Sequence, residues 1–255
     1  MPNWNGSPAV GSCVSGNGDL LGFIHDSAAR LEPSRGPVIT TTAYVPDALD
    51  GGTGRGFFLQ EGGYPLFVDW MLESVSAAGV LHRAARFAGS RVLAALTGRP
   101  RSDIGAQVGS LIGDGRASAG TLPVLGIGRD VADGTFQLRS GHLDLVSNPA
   151  TSVAYYARVA ATMQAFAREC GGDFHINPTR LLQRLITVHP IGGAPMGSDA
   201  RRGVVDDHGE VFGWPNMFVA DGSVMPGPVG ANPSLTIAAL AERFSQRVLE
   251  RTVRT

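Results

Sequence analysis

Residues 219–237 read VADGSVMPGPVGANPSLTI, a short apolar strand that runs through a glycine-rich turn into a helix. The strand ends at Asp221, and the glycines after it let the backbone pass close to a ligand. The sequence predicts that the helix starts with Asn232 as its N-cap and Pro233 at its first position, the order that helix starts favour. The apolar stripe predicted along this helix comprises Ile237, Leu240, Phe244 and Val248. The stretch therefore predicts the strand-turn-helix part of an α/β unit.

The start of this helix predicts a position that binds negative charge. The first N–H groups of a helix lack intrahelical partners and carry a partial positive charge. Such a terminus stabilises an anion, which here is a phosphate or the charge that builds on a reduced flavin ring. Asp221 would accept hydrogen bonds from ribityl or ribose hydroxyls. The alternative is that the Asn-Pro pair is only a good cap, and both interpretations stay open at this point.

His189 is the candidate for proton chemistry. It follows the apolar run 181–188 and precedes Pro190 and the glycine pair at 192–193, which leaves room beside the ring. An imidazole titrates near neutral pH, so it suits a general base for an alcohol proton. A lone histidine is more often structural, which is the competing interpretation. The other five histidines have no comparable setting.

Composition excludes several classes of function. The formal net charge of −1 provides no field for nucleic acid or for an anionic membrane surface. All 21 basic residues are arginine, which excludes lysine-dependent chemistry. The two cysteines form neither a disulfide framework nor a metal motif, so no metal is expected. The sequence has no apolar run of membrane-spanning length and no signal peptide, so a cytoplasmic location is the default expectation.

Periodicity predicts an α+β fold, because mixed strands and helices flank central hairpins. Strands are predicted at 38–45 and 57–59, helices across 65–96, a weakly patterned segment at 99–120, a hairpin of 135–138 with 142–146, a helix at 152–169, a second hairpin of 203–206 with 210–213, and a buried strand at 217–220. No nucleophile elbow, Walker A or zinc-protease motif is present. Gly16, Gly18 and Gly22 do not form the dinucleotide fingerprint, since the third glycine comes one residue late.

Three segments resemble one family of flavoenzymes. HPIGG at 189–193, VADGSVMPG at 219–227, and GANPSLTI at 230–237 followed by ALAER at 239–243 resemble the C-terminal region of glucose-methanol-choline (GMC) oxidoreductases. Within that family the chain is most similar to the cholesterol oxidase branch. VSGNGD at 14–19 resembles the segment that leads from the flavin domain back to the substrate domain. The resemblance spans most of the chain and is sharp after residue 186.

The resemblance implies an FAD-dependent alcohol oxidoreductase that passes a hydride from a carbinol carbon to FAD. His189 falls on the active-site histidine that accepts the hydroxyl proton or orients the hydroxyl, and Asn232 falls on its partner. The positions that match the family's FAD contacts are Asp221, Gly222, Asn232, Pro233 and Ser234. A sterol or another bulky hydrophobic alcohol is the implied substrate. Large apolar side chains available for it are Phe57, Phe58, Phe67, Trp70, Met71, Tyr155 and Met163, although such residues are usually core.

The cholesterol oxidase branch has a catalytic glutamate near the end of a short strand. Simple alignment places Gln60 on that position, with Glu61 beside it. A one-residue bulge would bring Glu61 in instead. Because that glutamate is tied to double-bond isomerisation in steroid oxidases, the resemblance leaves isomerase activity open.

The resemblance also implies a domain organisation. Residues 1–25 would be the return segment from the FAD domain, 26–186 the substrate-binding domain, and 187–255 the C-terminal part of a Rossmann-like FAD-binding domain. The N-terminal half of that domain is absent from the sequence, so its partner would be that missing half, on the same or a separate chain. We expect weak FAD binding, or none, by the isolated chain. The alternatives are an inert truncated fragment, one subunit of a split enzyme, or a GMC dehydrogenase that uses an acceptor other than oxygen.

Overall fold

The computed structural model describes residues 6–46, 55–69, 116–177 and 186–253, together with the single positions 72, 85, 88 and 89. The elements in chain order are β1 (Leu20–His25), β2 (Thr42–Val45), β3 (Phe57–Glu61), α1 (Arg116–Ala119), β4 (Leu122–Gly128), β5 (Thr135–Arg139), β6 (His142–Val146), α2 (Val153–Glu169), β7 (Asp173–Ile176) and α3 (Ser234–Val253). Short 3₁₀ turns lie at Pro149–Ser152 and Gly222–Val224. The mixture of sheet and helix confirms the predicted α+β class.

A five-stranded antiparallel sheet forms the first layer, in the order β2-β3-β4-β1-β7. Central strand β4 is buried along nearly its whole length, and β1 alternates buried with half-buried residues, as expected for strands with a covered face. Helix α2 covers one face, where Val159 and Met163 are fully buried. A Cβ atom at Gly126 would lie 2.3 Å from Val159, so glycine is what lets the helix approach the sheet this closely.

A second core holds the C-terminal region together. It consists of Val204, Val205, Val211, Val224 and Phe244, and Leu240 of α3 packs against it. Gly209 has φ +78°, and a Cβ atom there would lie 2.6 Å from the ring of Phe244. Position 209 therefore requires glycine for two reasons, the positive backbone angle and the close approach of the Phe244 ring.

The predicted hairpin at 135–146 and the helix after it are confirmed. Strands β5 and β6 pair antiparallel from Thr135 opposite Val146 to Arg139 opposite His142. The buried face of α2 comprises Tyr155, Tyr156, Val159, Met163 and Ala167. Val153 and Phe166 share the apolar spacing that predicts this helix, but they are exposed. The observed strands also differ in length from the predicted ones, since β2 is shorter and β3 continues through Gln60 and Glu61.

The second predicted hairpin is present only as a tight turn closed by an antiparallel bridge between Val205 and Val211, and the strand predicted at 217–220 does not form. This region contains only isolated bridges, including Val205 with Val211 and Glu210 with Phe218. The chain turns back again at once, because the Trp214 N–H donates to the Val211 carbonyl (3.0 Å) and the Met217 N–H to the Trp214 carbonyl (3.1 Å). Apolar alternation was present, but closely spaced turns left too few residues for a ladder.

The predicted helices at 65–96 lie almost entirely outside the described residues. The same holds for the segment 99–120, apart from the short helix α1 at its end. Within the part of the chain that is described, no helix has the length and apolar character needed to cross a membrane.

Candidate active site

His189 is held by a buried carboxylate that the sequence did not single out. Its Nδ1 lies 3.0 Å from Oδ1 of Asp19, whose side chain is only 1% exposed. The second carboxylate oxygen accepts the backbone N–H groups of Val188 (2.9 Å) and His189 (3.2 Å) and the hydroxyl of Thr187 (2.8 Å). The His189 side chain keeps 16% exposure. The protein therefore fixes the Nδ1 edge of the imidazole, while part of the ring stays accessible.

Asn232 is not the cap of α3, contrary to the prediction. The Ile237 N–H donates to the carbonyl of Pro233 (2.9 Å), and the helix begins at Ser234, so Pro233 holds the capping position. Asn232 lies one residue earlier and is exposed. Its Nδ2 donates to Oε1 of Gln60 at 3.3 Å. The side chain is thus available to the site rather than committed to the helix end.

Strand β3 distinguishes between Gln60 and Glu61. Gln60 is 6% exposed and donates from Nε2 to the hydroxyl of Thr42 (3.2 Å) while it faces Asn232. The register of β3 with both neighbouring strands is unbroken, so no bulge brings the next residue to the same face. Glu61 instead accepts the backbone N–H of Thr40 (2.7 Å). The residue beside Asn232 is a carboxamide and not a carboxylate.

The Ser15–Asp19 segment joins the two parts of this site. Asn17, fully buried, accepts the N–H groups of Val229 (2.8 Å) and Gly230 (3.1 Å) on Oδ1 and donates to the carbonyl of Ala231 (2.8 Å). These three residues come immediately before Asn232. Asp19, two residues after Asn17, bonds to His189. The same short segment therefore contacts His189 directly and also contacts the loop that leads to Asn232.

Asp130 braces that segment from the other side. One carboxylate oxygen accepts the hydroxyl of Ser15 (2.5 Å) and the N–H of Gly18 (3.0 Å), and the other accepts the N–H of Gly16 (3.3 Å). Burial raises the pKa of Asp130 above its ordinary value, and these hydrogen bonds offset only part of the rise. Tyr155 adds a further support by donating its hydroxyl to the carbonyl of Gly18 (2.8 Å).

Among the predicted cofactor contacts, Asp221 and Gly222 lie along an edge that the turn forms with the chain after His189. The Gly192 N–H donates to the carbonyl of Gly222 (3.1 Å), which pairs the chain after His189 with the turn after Asp221. Asp221 is exposed, and its Oδ1 accepts the N–H of Ser223 (2.8 Å). At the start of α3, Pro233 is buried and Ser234 is exposed.

The apolar residues considered for substrate contact do not share one environment, and Phe58 among them is half-buried. Phe57, Tyr155 and Met163 belong to the main core between the sheet and α2. Phe67 is 59% exposed. Trp70 and Met71 lie outside the described residues. For the three core residues, the ordinary core interpretation is the one that the packing supports.

Asn17, Asp19 and Asp130 were missed as site residues by sequence reasoning. The available signal was the Gly16-Asn17-Gly18-Asp19 run, which was considered only as an incomplete nucleotide fingerprint and as part of a connecting segment. Asp19 is 170 positions away from His189 in the sequence. No local spacing rule connects residues so far apart, and Asp130 has no pattern around it at all.

Comparison with known proteins agrees with this architecture. Residues 143–241 match the family model described as GMC oxidoreductase. Cholesterol oxidase from Mycobacterium tuberculosis is 38% identical over 86 residues, which are 34% of this chain and 14% of that protein. Cholesterol oxidase from Acinetobacter baumannii is 39% identical over 84 residues, 31% of this chain and 15% of that protein.

A solved structure extends the likeness over nearly the whole chain at the level of fold. A formate oxidase from Aspergillus oryzae, studied for the modification of its FAD, superposes with a TM-score of 0.53 at 15% identity. The match covers 94% of this chain and 47% of the formate oxidase chain. The chain thus spans less than half of that enzyme, and its matched region spans about one seventh of the cholesterol oxidases. Over residues 143–241, the chain is thus similar to the C-terminal domain of the GMC oxidoreductases.

Proposed function

We propose that the chain is the C-terminal part of an FAD-dependent oxidoreductase that oxidises the CH–OH group of a sterol or another bulky hydrophobic alcohol. The observation that carries the proposal is that the Ser15–Asp19 segment contacts His189 through Asp19 and, through Asn17, the 229–231 loop that leads to Asn232 and the start of α3. The family supports alcohol chemistry, and the two cholesterol oxidases support a sterol as the first substrate to test.

The residues at this edge fit a flavin dinucleotide. The start of α3 presents backbone N–H groups with partial positive charge beside an exposed Ser234. Asp221 is exposed next to a 3₁₀ turn, where its carboxylate can accept hydroxyl donors. At Gly227, no described atom lies within 4 Å of the position that a Cβ would take, so the turn leaves open space for a ligand. When bound, FAD would accept the hydride from the carbinol carbon.

The chain's own residues would divide the remaining work. The imidazole of His189 accepts the hydroxyl proton or orients the hydroxyl, since it is partly exposed and held from behind by Asp19. Asn232 offers a carboxamide to the substrate oxygen, with Gln60 holding one of its N–H groups. Because Gln60 is not titratable, it cannot act as a carboxylate base beside Asn232, and we therefore propose oxidation without isomerisation.

Exposed apolar residues next to the site support a second protein segment that covers it. Val188, beside His189, is 63% exposed, and Leu235, in the first turn of α3, is 84% exposed. A contiguous apolar patch marks an interaction site, whereas single exposed apolar residues are common, so these two residues only locate where a partner segment would dock. We propose that its partner is the N-terminal half of a GMC flavin domain, carried on the same or a separate chain. An inert fragment and a dehydrogenase that uses a non-oxygen acceptor are the competing outcomes.

The test is the visible spectrum of the purified chain titrated with FAD, alone and after co-expression with a GMC N-terminal half that contains the G-x-G-x-x-G motif. We expect no bound-flavin spectrum for the chain alone and a bound-flavin spectrum for the pair. Cholesterol turnover by the pair is then measured with oxygen and with an artificial electron acceptor, with His189→Ala as the inactive control. A pair that binds FAD but oxidises no alcohol with either acceptor would refute the proposed activity.

Asp221→Asn tests the cofactor edge, with the exposed Asp207→Asn as its matched control. We expect weaker FAD binding by the pair for the first variant and unchanged binding for the second. Equal affinities in all three proteins would exclude Asp221 from the flavin site.

A further inference from the structure

We propose that Asp19 is a positioning residue that fixes the tautomer of His189, so that Nε2 is the atom that takes the substrate proton. The proposal rests on the function proposed above, and it adds a residue and an atom to the site. Asp19 itself contacts no reacting group, because its buried carboxylate bonds to Nδ1, the ring nitrogen on the side away from Nε2.

The contacts of Asp19 leave its two oxygens with different tasks. Oδ2 accepts two backbone N–H groups, from Val188 and His189, and the hydroxyl of Thr187. Oδ1 faces only the His189 ring among its described hydrogen-bond partners. The carboxylate therefore fixes both the backbone on which the imidazole is carried and the orientation of the imidazole itself.

The tautomer follows from the donor and acceptor inventory. A carboxylate accepts hydrogen bonds and donates none, so the proton in the contact at 3.0 Å belongs to Nδ1 of His189. In a neutral ring the lone pair then lies on Nε2. Because Asp19 engages Nδ1, Nε2 is the ring nitrogen left for a substrate hydroxyl, and the side chain as a whole keeps 16% exposure.

The substitution Asp19→Asn reverses this assignment with almost no change of shape. The N–H groups of Val188 and His189 can only donate, so the carboxamide oxygen must stay on their side. The NH₂ group then faces Nδ1 of His189, and because it can only donate, Nδ1 must become the acceptor. The proton of the neutral ring moves to Nε2, which removes the base from the open side.

The experiment is long-range ¹H–¹⁵N correlation spectroscopy of histidine-labelled protein over a series of increasing pH, and the tautomer is determined from the spectra in which the ¹⁵N shifts of the ring have stopped changing. In the natural protein we expect a protonated Nδ1 and an unprotonated Nε2 for His189. In Asp19→Asn we expect the inverse pattern. His189→Gln assigns the signal by its disappearance.

Asp207→Asn provides the matched control, because His208 Nδ1 lies 2.9 Å from Oδ1 of Asp207, whose side chain is 73% exposed while that of His208 is 34% exposed. Water competes for both partners there, so its ring should show no inversion. A protonated Nε2 on His189 in the natural protein would overturn the proposal, even if Asp19→Asn failed to fold. An unchanged His189 tautomer in a folded Asp19→Asn protein would also overturn it. None of these readouts requires flavin, so their failure is distinguishable from failure of the FAD titration.

Discussion

Removing the side chain of Asn17 should destabilise the protein more than any other loss of a single uncharged polar group described above. Asn17 is fully buried and makes three hydrogen bonds to the backbone of residues 229–231. Its own backbone has φ +53°, in the left-handed region that asparagine tolerates and alanine does not favour. The side chain of Asn17 thus holds the loop before Asn232. The choice of asparagine also allows the left-handed backbone at position 17.

The magnitude follows from those contacts. Loss of the side chain leaves two N–H groups and one carbonyl without partners, and each buried group of this kind costs about 1–3 kcal/mol. Two of the three bonds are only partly buried, so we take the lower end for them and expect about 3–5 kcal/mol in all. Alanine adds about 1 kcal/mol for its left-handed backbone. That sum is a large share of the 5–15 kcal/mol by which most domains are stable.

Urea denaturation of Asn17→Gly and Asn17→Ala separates the two contributions. Glycine removes the side chain without the backbone penalty, so the difference between the variants measures the left-handed term. Asn148→Ala is the matched control, because Asn148 is an exposed cap with ordinary φ −102° and one bond to the Ala150 N–H. We expect the control to cost about 1 kcal/mol. A cost for Asn17→Gly no larger than that of the control would refute the argument that Asn17 holds the 229–231 loop.

Two further predictions concern stability. Burial and the neighbouring His175 lower the pKa of His25, so its contribution to stability should be present above pH 6.5 and be lost as the pH falls through the lower folded-state pKa. Denaturation between pH 7 and 5 should therefore show a shallower loss for His25→Asn than for the natural protein, and a slope equal to that of the exposed His142→Asn control would contradict this. Phe244→Ala should cost about 3–5 kcal/mol, because the ring is 2% exposed at the centre of the C-terminal core. Val248→Ala, one turn further along α3 and 38% exposed, should cost much less, and equal losses in urea would contradict that core assignment.

The sequence determined those helices and hairpins that are predicted by turn residues or apolar spacing within the element itself. The Ser140-Gly141 turn fixed the β5–β6 hairpin, and apolar spacing fixed α2 and α3. The segments around His189 and Asn232 determined the resemblance to GMC oxidoreductases, because each is a continuous run with an unusual order of glycine, proline and polar residues. Those properties depend on neighbours a few positions apart, which a linear sequence records directly.

The tertiary structure decided what holds these pieces together. Only folding places Asp19 behind His189 and Asn17 against the loop before Asn232, because both contacts join residues more than 160 positions apart. Only the unbroken register of β3 assigns Gln60, and not Glu61, to the face beside Asn232. Pairing across strands and burial of lone polar groups depend on the whole fold, and no local pattern in the sequence encodes them.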